Sequence, residues 1–258
     1  MNYLAVLEYC GTNYNGWQLQ NNVNAPGGNK TVANEILKAI KIITKLDVKL
    51  FVSGRTDAGV HAFNQIVNFK LPFYYDLNKF KIVLNGILPS DISVKNMEIV
   101  HNAFHATHDT LSKTYLYKIN SGFRSPLLLG RSWFIKEELN INLMNESASI
   151  FLGKNNFFNF VKKEKEKRSA SYYRVITAIE ICRKNYGFDI FIEGEGFLRH
   201  MVRRIVGALI LCGTGKININ HLTGMLKGEN HTYNINIACA PSCGLFLYSV
   251  RYRHKIYC

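Results

Sequence analysis

The sequence predicts an α+β fold with a largely antiparallel sheet flanked by helices. Three observations predict it. Strand-like segments arrive in hairpin-type groups and do not alternate one for one with helices. An order of strand, helix, strands, helix, strand is followed after residue 100 by a second round of similar kind. Of the 258 residues, 47% are hydrophobic, enough to bury a sizeable core. The two rounds predict two related halves, residues 1–100 and 101–258.

Residues 2–9 are apolar and rich in β-formers, a strand. Residues 10–16 hold Gly11, Asn13, Asn15 and Gly16, which is turn chemistry. Pro26, Gly27 and Gly28 place a loop over residues 23–30, and Thr31 stands as a helix cap. Val32, Ile36, Ile40 and Ile43 follow at helical spacing, so a helix covers residues 32–45. Residues 48–52 and 65–70 read as short strands around a polar turn, 53–64. Phe80, Val83, Leu84 and Ile87 mark a second helix that Pro89 stops. Residues 92–100 are extended.

In the second half, residues 114–120 alternate as a strand does. Ile141, Met144, Ala148 and Phe151 mark a helix ending at Gly153. Residues 174–182 and 186–193 flank residues 183–185 as an antiparallel hairpin. A long helix is expected over residues 197–211 and a shorter one around Leu222, Met225 and Leu226, ending near Gly228. Residues 244–253 close the chain as a strand.

Charge narrows the class of partner. There are 32 Lys and Arg against 18 Asp and Glu, a net charge of +14. Residues 101–258 carry +11 of it. Such a surplus points to a polyanion, most simply a nucleic acid or an acidic membrane. A composition rich in Lys, Asn and Ile produces part of it without any such partner. No apolar run approaches the ~20 residues of a membrane span, and residues 1–9 lack a signal-peptide pattern. Of the six cysteines only Cys239 and Cys243 are close, and no second pair completes a zinc site. They read as free thiols in a reducing cytoplasm. One charged run, Lys162, Lys163, Glu164, Lys165, Glu166, Lys167 and Arg168, suits either a solvated loop or a track along a phosphate backbone.

The most informative stretch is Gly54-Arg55-Thr56-Asp57-Ala58-Gly59-Val60-His61-Ala62. Its glycines permit tight turns, and Arg55 and Asp57 bracket Thr56 on a short loop. An aspartate in such a loop commonly bonds its own backbone, and physics alone favours that bland role. On the helix expected over 197–211, Arg199 and Arg203 fall four residues apart on one face. Arg203 follows Met201 and Val202, so its stem is half buried and its charge needs a partner. Asp57, Glu193 and Glu195 are all candidates. Two motifs fail. Gly213-Thr214-Gly215-Lys216 has Ile210 where a phosphate loop needs glycine and Ile217 where it needs Ser or Thr. Gly194-Glu195-Gly196 lacks the third glycine of a dinucleotide fingerprint. His61, His101, His105 and His108 show no metal-ligand spacing and read as polar or core residues.

Six motifs in order resemble the TruA family of tRNA pseudouridine synthases. They are residues 9–20 with Gly11, Gly16 and Trp17; residues 54–62; Leu84-Asn85, Leu88-Pro89 and Asp91-Ile92; Phe104-His105-Ala106 followed by Lys113 to Tyr117; Phe197-Leu198, Met201 to Arg203 and Val206-Gly207; and Ala240-Pro241, Gly244-Leu245 and Leu247. The resemblance implies a pseudouridine synthase fold around a central cleft. It implies Asp57 as catalytic aspartate, nucleophile or acid/base. It implies Arg55 as the residue that displaces the base, Tyr115 as the ring that stacks on it, and Arg203 as partner of the carboxylate. Leu245 becomes part of the apolar wall. Arg199 joins the lysine run as a candidate RNA contact. The implied activity is conversion of uridine to pseudouridine at positions 38 to 40 of tRNA by a homodimer, without cofactor or metal. Three positions depart from the pattern: Cys10 replaces an acidic residue, Thr107 an arginine and Asn156 an aspartate. A non-catalytic tRNA-binding protein, or a synthase acting on another RNA, are the competing readings. A degenerate binder would be expected to lose Asp57 or Arg203, and both are present.

Overall fold

Strand pairing and helix caps fix where each predicted element begins and ends. The computed structural model describes residues 1–18, 30–161, 171–228 and 237–253. The chain divides into two units, one of Met1–Leu111 with the segment from Phe246 onward, the other of Ser112–Leu245.

In the first unit the apolar run of residues 2–9 becomes β1 (Asn2–Tyr9), buried at all but one position. Thr31 caps α1 (Val32–Thr44) by accepting from Asn34 N, as its position predicts. Lys45 closes that helix in the left-handed region, φ 60°. β2 is only Phe51–Val52. β3 runs over His61–Lys70, four residues earlier than periodicity suggests. The reason is pairing: Ala62 lies opposite Tyr9, so the ladder continues past the polar Asn64 and Gln65. Asp76 caps α2 (Leu77–Ile87) by accepting from Lys79 N. β4 covers Ile92–Val100. β1 is central, antiparallel to both β3 and β4. Tyr3 stacks on Phe69 at 5.7 Å, and Phe80 from α2 meets both rings edge-on. Buried Asn68 donates to Asn2 Oδ1 (2.9 Å) and accepts from Ala106 N (2.9 Å), which fastens the Phe104-His105-Ala106 motif to the sheet.

The second unit is built on β5 (Thr110–Ser121), with β6 (Trp133–Ile135) parallel to it. Asn140 caps α3 (Ile141–Ser149). β7 (Gly153–Asn156), β8 (Tyr173–Lys184) and β9 (Gly187–Gly194) extend an antiparallel order β5-β9-β8-β7. The expected hairpin is present, its turn narrowed to residues 185–186. α4 (Met201–Gly213) and α5 (Ile219–Lys227) follow, α5 with a capping box from Asn218 and His221 and Gly228 as its left-handed C-cap. Gly213 lets α4 approach α3, since a Cβ there would sit 2.7 Å from Met144 Cγ. Phe151, Phe157 and Phe160 form a fully buried ring cluster.

The closing strand β10 (Leu245–Tyr252) runs parallel to β3, Phe246 opposite His61 and Leu247 opposite Ala62. Both units are thus α+β with mostly antiparallel ladders, as the sequence predicts. Two helix boundaries are corrected. α3 stops at Ser149 and not at Gly153, which instead begins β7 paired with β8. α4 begins at Met201, not 197, because His200 sits in the left-handed region (φ 64°) and breaks the helical path. No helix among the described residues is long and apolar enough to cross a membrane.

Candidate active site

Every glycine-bearing motif of the first unit converges on the backbone around Asp57. Residues 54–57 form an irregular stretch, and residues 58–59 form a turn closed by Val60 N donating to Asp57 O (3.2 Å). Within it Arg55 is exposed, Thr56 is buried and Asp57 is half-buried. Thr56 therefore anchors the loop between an exposed Arg55 and a half-buried Asp57.

The opening turn clamps this loop from one side. Trp17 N donates to Thr56 O (3.0 Å) and Gly59 N donates to Tyr14 O (3.3 Å). Gly16 adopts φ 88°, and a Cβ there would lie 2.7 Å from Thr56 O and 3.0 Å from Asp57 C. Gly11 approaches closer still, since its Cβ would fall 1.9 Å from Val60 O. Only glycine permits this backbone-on-backbone contact. The opening turn is itself fixed from behind. Tyr14 donates to the Asp91 carboxylate, and Cys10 N donates to Asp91 O (2.9 Å). Burial and that carboxylate hold the Tyr14 hydroxyl above its usual range. Buried His61 accepts from Gly11 N at Nδ1 (3.1 Å) and stacks on Phe246. That makes it a structural histidine in its neutral form, in keeping with its reading as a core residue.

A second cluster forms in the other unit around α4. Arg203 is half-buried, as its neighbours predict, and its Nε donates to Ala240 O (2.7 Å) while Ala240 N donates to Arg203 O (3.1 Å). This reciprocal pair seats the segment 237–241 on the helix. Gly207 allows the close approach, since a Cβ there would lie 2.2 Å from Ala238 O. Tyr117, on β5, donates to Pro241 O (2.8 Å), and Gly244 lies flat against its ring. Burial pushes the Tyr117 hydroxyl well above its ordinary range. Tyr115, two residues earlier and on the same sheet face, is 8% exposed and meets Phe197 edge-on at 5.2 Å. Leu245 is buried at the start of β10.

The structure thus places Arg55 and Asp57 on one loop of the first unit, and Tyr115, Arg203 and Leu245 in the second. Arg199 is corrected. It is exposed in the turn before α4, so it does not share a helical face with Arg203. Lys162, Lys163, Lys165, Lys167 and Arg168 lie outside the described residues. The rejected phosphate-loop lookalike follows the C-terminus of α4, the wrong end of a helix for anions, and Lys216 pairs with Glu137. Among the described residues no three His, Cys, Asp or Glu side chains converge as metal ligands would. The five described cysteines are free thiols. Sequence reasoning gave no role to Gln65, and Tyr9 and Tyr117 entered only as members of motifs; in the structure the three support the loop and the α4 segment. Gln65's only signal was a polar group inside an apolar strand.

A family model described as tRNA pseudouridine synthase matches residues 148–253. The chain is 38% identical over 247 residues to tRNA pseudouridine synthase A 2 of Clostridium tetani, covering 95% of this chain and 96% of that protein. It is 37% identical over 252 residues to tRNA pseudouridine synthase A of a Thermoanaerobacter species, covering 97% and 99%. It is 35% identical over 254 residues to tRNA pseudouridine synthase A 2 of Bacillus cereus, again covering 97% and 99%. Among solved structures, a Cbf5-Nop10-Gar1 complex aligns over 70% of this chain and 41% of that one, with a TM-score of 0.32 and 15% identity. On the strength of the near-full-length identities, this chain belongs to the tRNA pseudouridine synthase A family.

Proposed function

We propose that this chain converts uridine to pseudouridine in the anticodon stem-loop of tRNA, at positions 38 to 40, with Asp57 as nucleophile or acid/base. The observation that carries the reading is the clamped loop presenting a half-buried carboxylate, in a chain 38% identical over nearly its whole length to a tRNA pseudouridine synthase A. The reaction breaks the bond from N1 of uracil to C1′ and forms one from C5 to C1′. A proton leaves C5 and N1 gains one, so no oxidant or group donor is consumed.

The target base must leave its stack, which costs a few kcal/mol. Arg55 is exposed beside Asp57 and offers a guanidinium to the vacated position. Tyr115 offers a ring, with stacking worth roughly 1–3 kcal/mol per base. Arg203 supplies a fixed guanidinium to the substrate-binding set, its own stem held by Ala240. Leu245 supplies apolar wall. Arg199 and the lysine run add charge toward phosphates, and the protein acts in the cytoplasm as a homodimer.

The test is direct. Incubation of the protein with unmodified tRNA, followed by position-resolved pseudouridine mapping, is expected to give product at 38 to 40. Product elsewhere, or none, overturns the assignment. Tyr115→Phe keeps the ring and its edge contact to Phe197. It is expected to leave tRNA affinity unchanged and to slow turnover by roughly 100-fold or more if the hydroxyl moves a proton. Full turnover by this variant restricts Tyr115 to stacking.

A further inference from the structure

Beneath the Asp57 loop lies a buried polar chain that the reaction itself does not touch. Ser53, Gln65, Tyr9 and Thr56 are 0%, 0%, 4% and 8% exposed. Ser53 Oγ donates to Gln65 Oε1 (2.7 Å), and Gln65 Nε2 donates to Gly54 O (2.7 Å) and to the Tyr9 hydroxyl (3.4 Å). Tyr9 and Thr56 share a hydrogen bond of 2.7 Å. The directions at Gln65 are forced. Gly54 O can only accept, so the amide nitrogen of Gln65 faces it and the amide oxygen faces Ser53. The Tyr9 oxygen then accepts from Gln65, and its own proton is available to Thr56 Oγ1. Burial pushes the Tyr9 hydroxyl up to about 12, so it keeps that proton at any working pH.

This chain grips the loop at the residue before Arg55 and at the residue between Arg55 and Asp57. From the other side the opening turn holds Thr56 O and Gly59 N. The stretch 54–57 is thus held at Gly54 O, at Thr56 O and at the Thr56 hydroxyl. Such over-determination exceeds what holding a surface loop requires. It suits a loop whose carboxylate must meet a reacting atom within a fraction of an ångström.

We propose that Tyr9 and Gln65 are positioning residues, which through Thr56 and Gly54 set the direction of the Asp57 carboxylate. The proposal rests on Asp57 being the catalytic group. Tyr9→Phe and Thr56→Val each remove one hydroxyl at nearly constant volume. Each is expected to lower the single-turnover rate of pseudouridine formation by roughly 10- to 100-fold, with the tRNA dissociation constant and the circular dichroism spectrum unchanged. The double variant is expected to be no slower than the slower single variant, because both cut the same link. Thr56→Ser keeps the hydroxyl and is expected to restore most of the rate. Wild-type rates in both Tyr9→Phe and Thr56→Val, multiplying losses in the double variant, or a loss confined to tRNA affinity each overturn the positioning role. Asp57→Asn, run alongside, separates the two ideas. An active Asp57→Asn overturns the catalytic assignment and this role with it. An inactive one, beside fully active Tyr9→Phe and Thr56→Val, overturns the positioning role alone.

Discussion

Asp57→Asn is expected to abolish pseudouridine formation and leave tRNA binding intact. The substitution preserves shape and removes the charge and nucleophilicity that cleavage of the glycosidic bond calls on. Four hydrogen bonds hold the loop through groups other than the carboxylate. They run through Thr56 O, the Thr56 hydroxyl, Asp57 O and Gly59 N. The loop therefore keeps its course, and the loss falls on chemistry, on the order of 10⁴-fold or more. Position-resolved mapping of product with a parallel filter-binding measurement checks both halves. Normal product from Asp57→Asn would sink the mechanism, and lost binding would make Asp57 an RNA contact.

Gly16→Ala carries the second largest expected effect, and it acts without touching substrate. At φ 88° an alanine leaves its favoured backbone region, at roughly 1–2 kcal/mol. Its Cβ also meets Thr56 O, Asp57 C and Ala58 N at 2.7, 3.0 and 3.1 Å. These are backbone atoms, and the Thr56 carbonyl is already engaged by Trp17 N. No rotamer change relieves the contact. Either the opening turn or the Asp57 loop must move, at about 1–3 kcal/mol of overpacking. The expected result is a lowered Tm together with a fall in kcat that persists at temperatures where the variant is fully folded. Gly86→Ala is the control. Gly86 lies in α2 with nothing within 4 Å of its Cβ position. There alanine is expected to raise stability by roughly 0.5–1 kcal/mol and leave kcat alone. A Gly16→Ala enzyme with wild-type kcat would show that the loop does not need this backing.

Much of the fold was legible because its signals are local. Thr31 before Val32, Ile36 and Ile40 announces a capped helix, and the cap bond to Asn34 N is there. The apolar run from Asn2 announces β1 with its observed bounds. Gly228 ends α5 in the left-handed conformation that glycine prefers. The candidate site was legible in a different way. Asp57, Arg55, Tyr115 and Arg203 were singled out by motif order, not by any physical property that separates Asp57 from a turn-capping aspartate.

What escaped was whatever depends on a distant partner. β7 contains no apolar residue, and only pairing with β8 makes it a strand. β3 reaches back to His61 because Tyr9 and Phe246 lie beside it. The helix over 197–211 loses its first turn because His200 turns left-handed, which removes Arg199 from the face of Arg203. The sequence by itself determined most of the element types, the α+β class, the surplus of positive charge and the candidate residues for the chemistry. Tertiary structure alone decided why the motifs belong together. Asp91 holds the opening turn, and that turn backs the Asp57 loop through Gly11 and Gly16. Tyr9 and Gln65 grip the loop from beneath. The physical reason is that periodicity, caps and turn residues act over a few positions of chain. A carbonyl resting against a glycine dozens of residues away leaves no local trace.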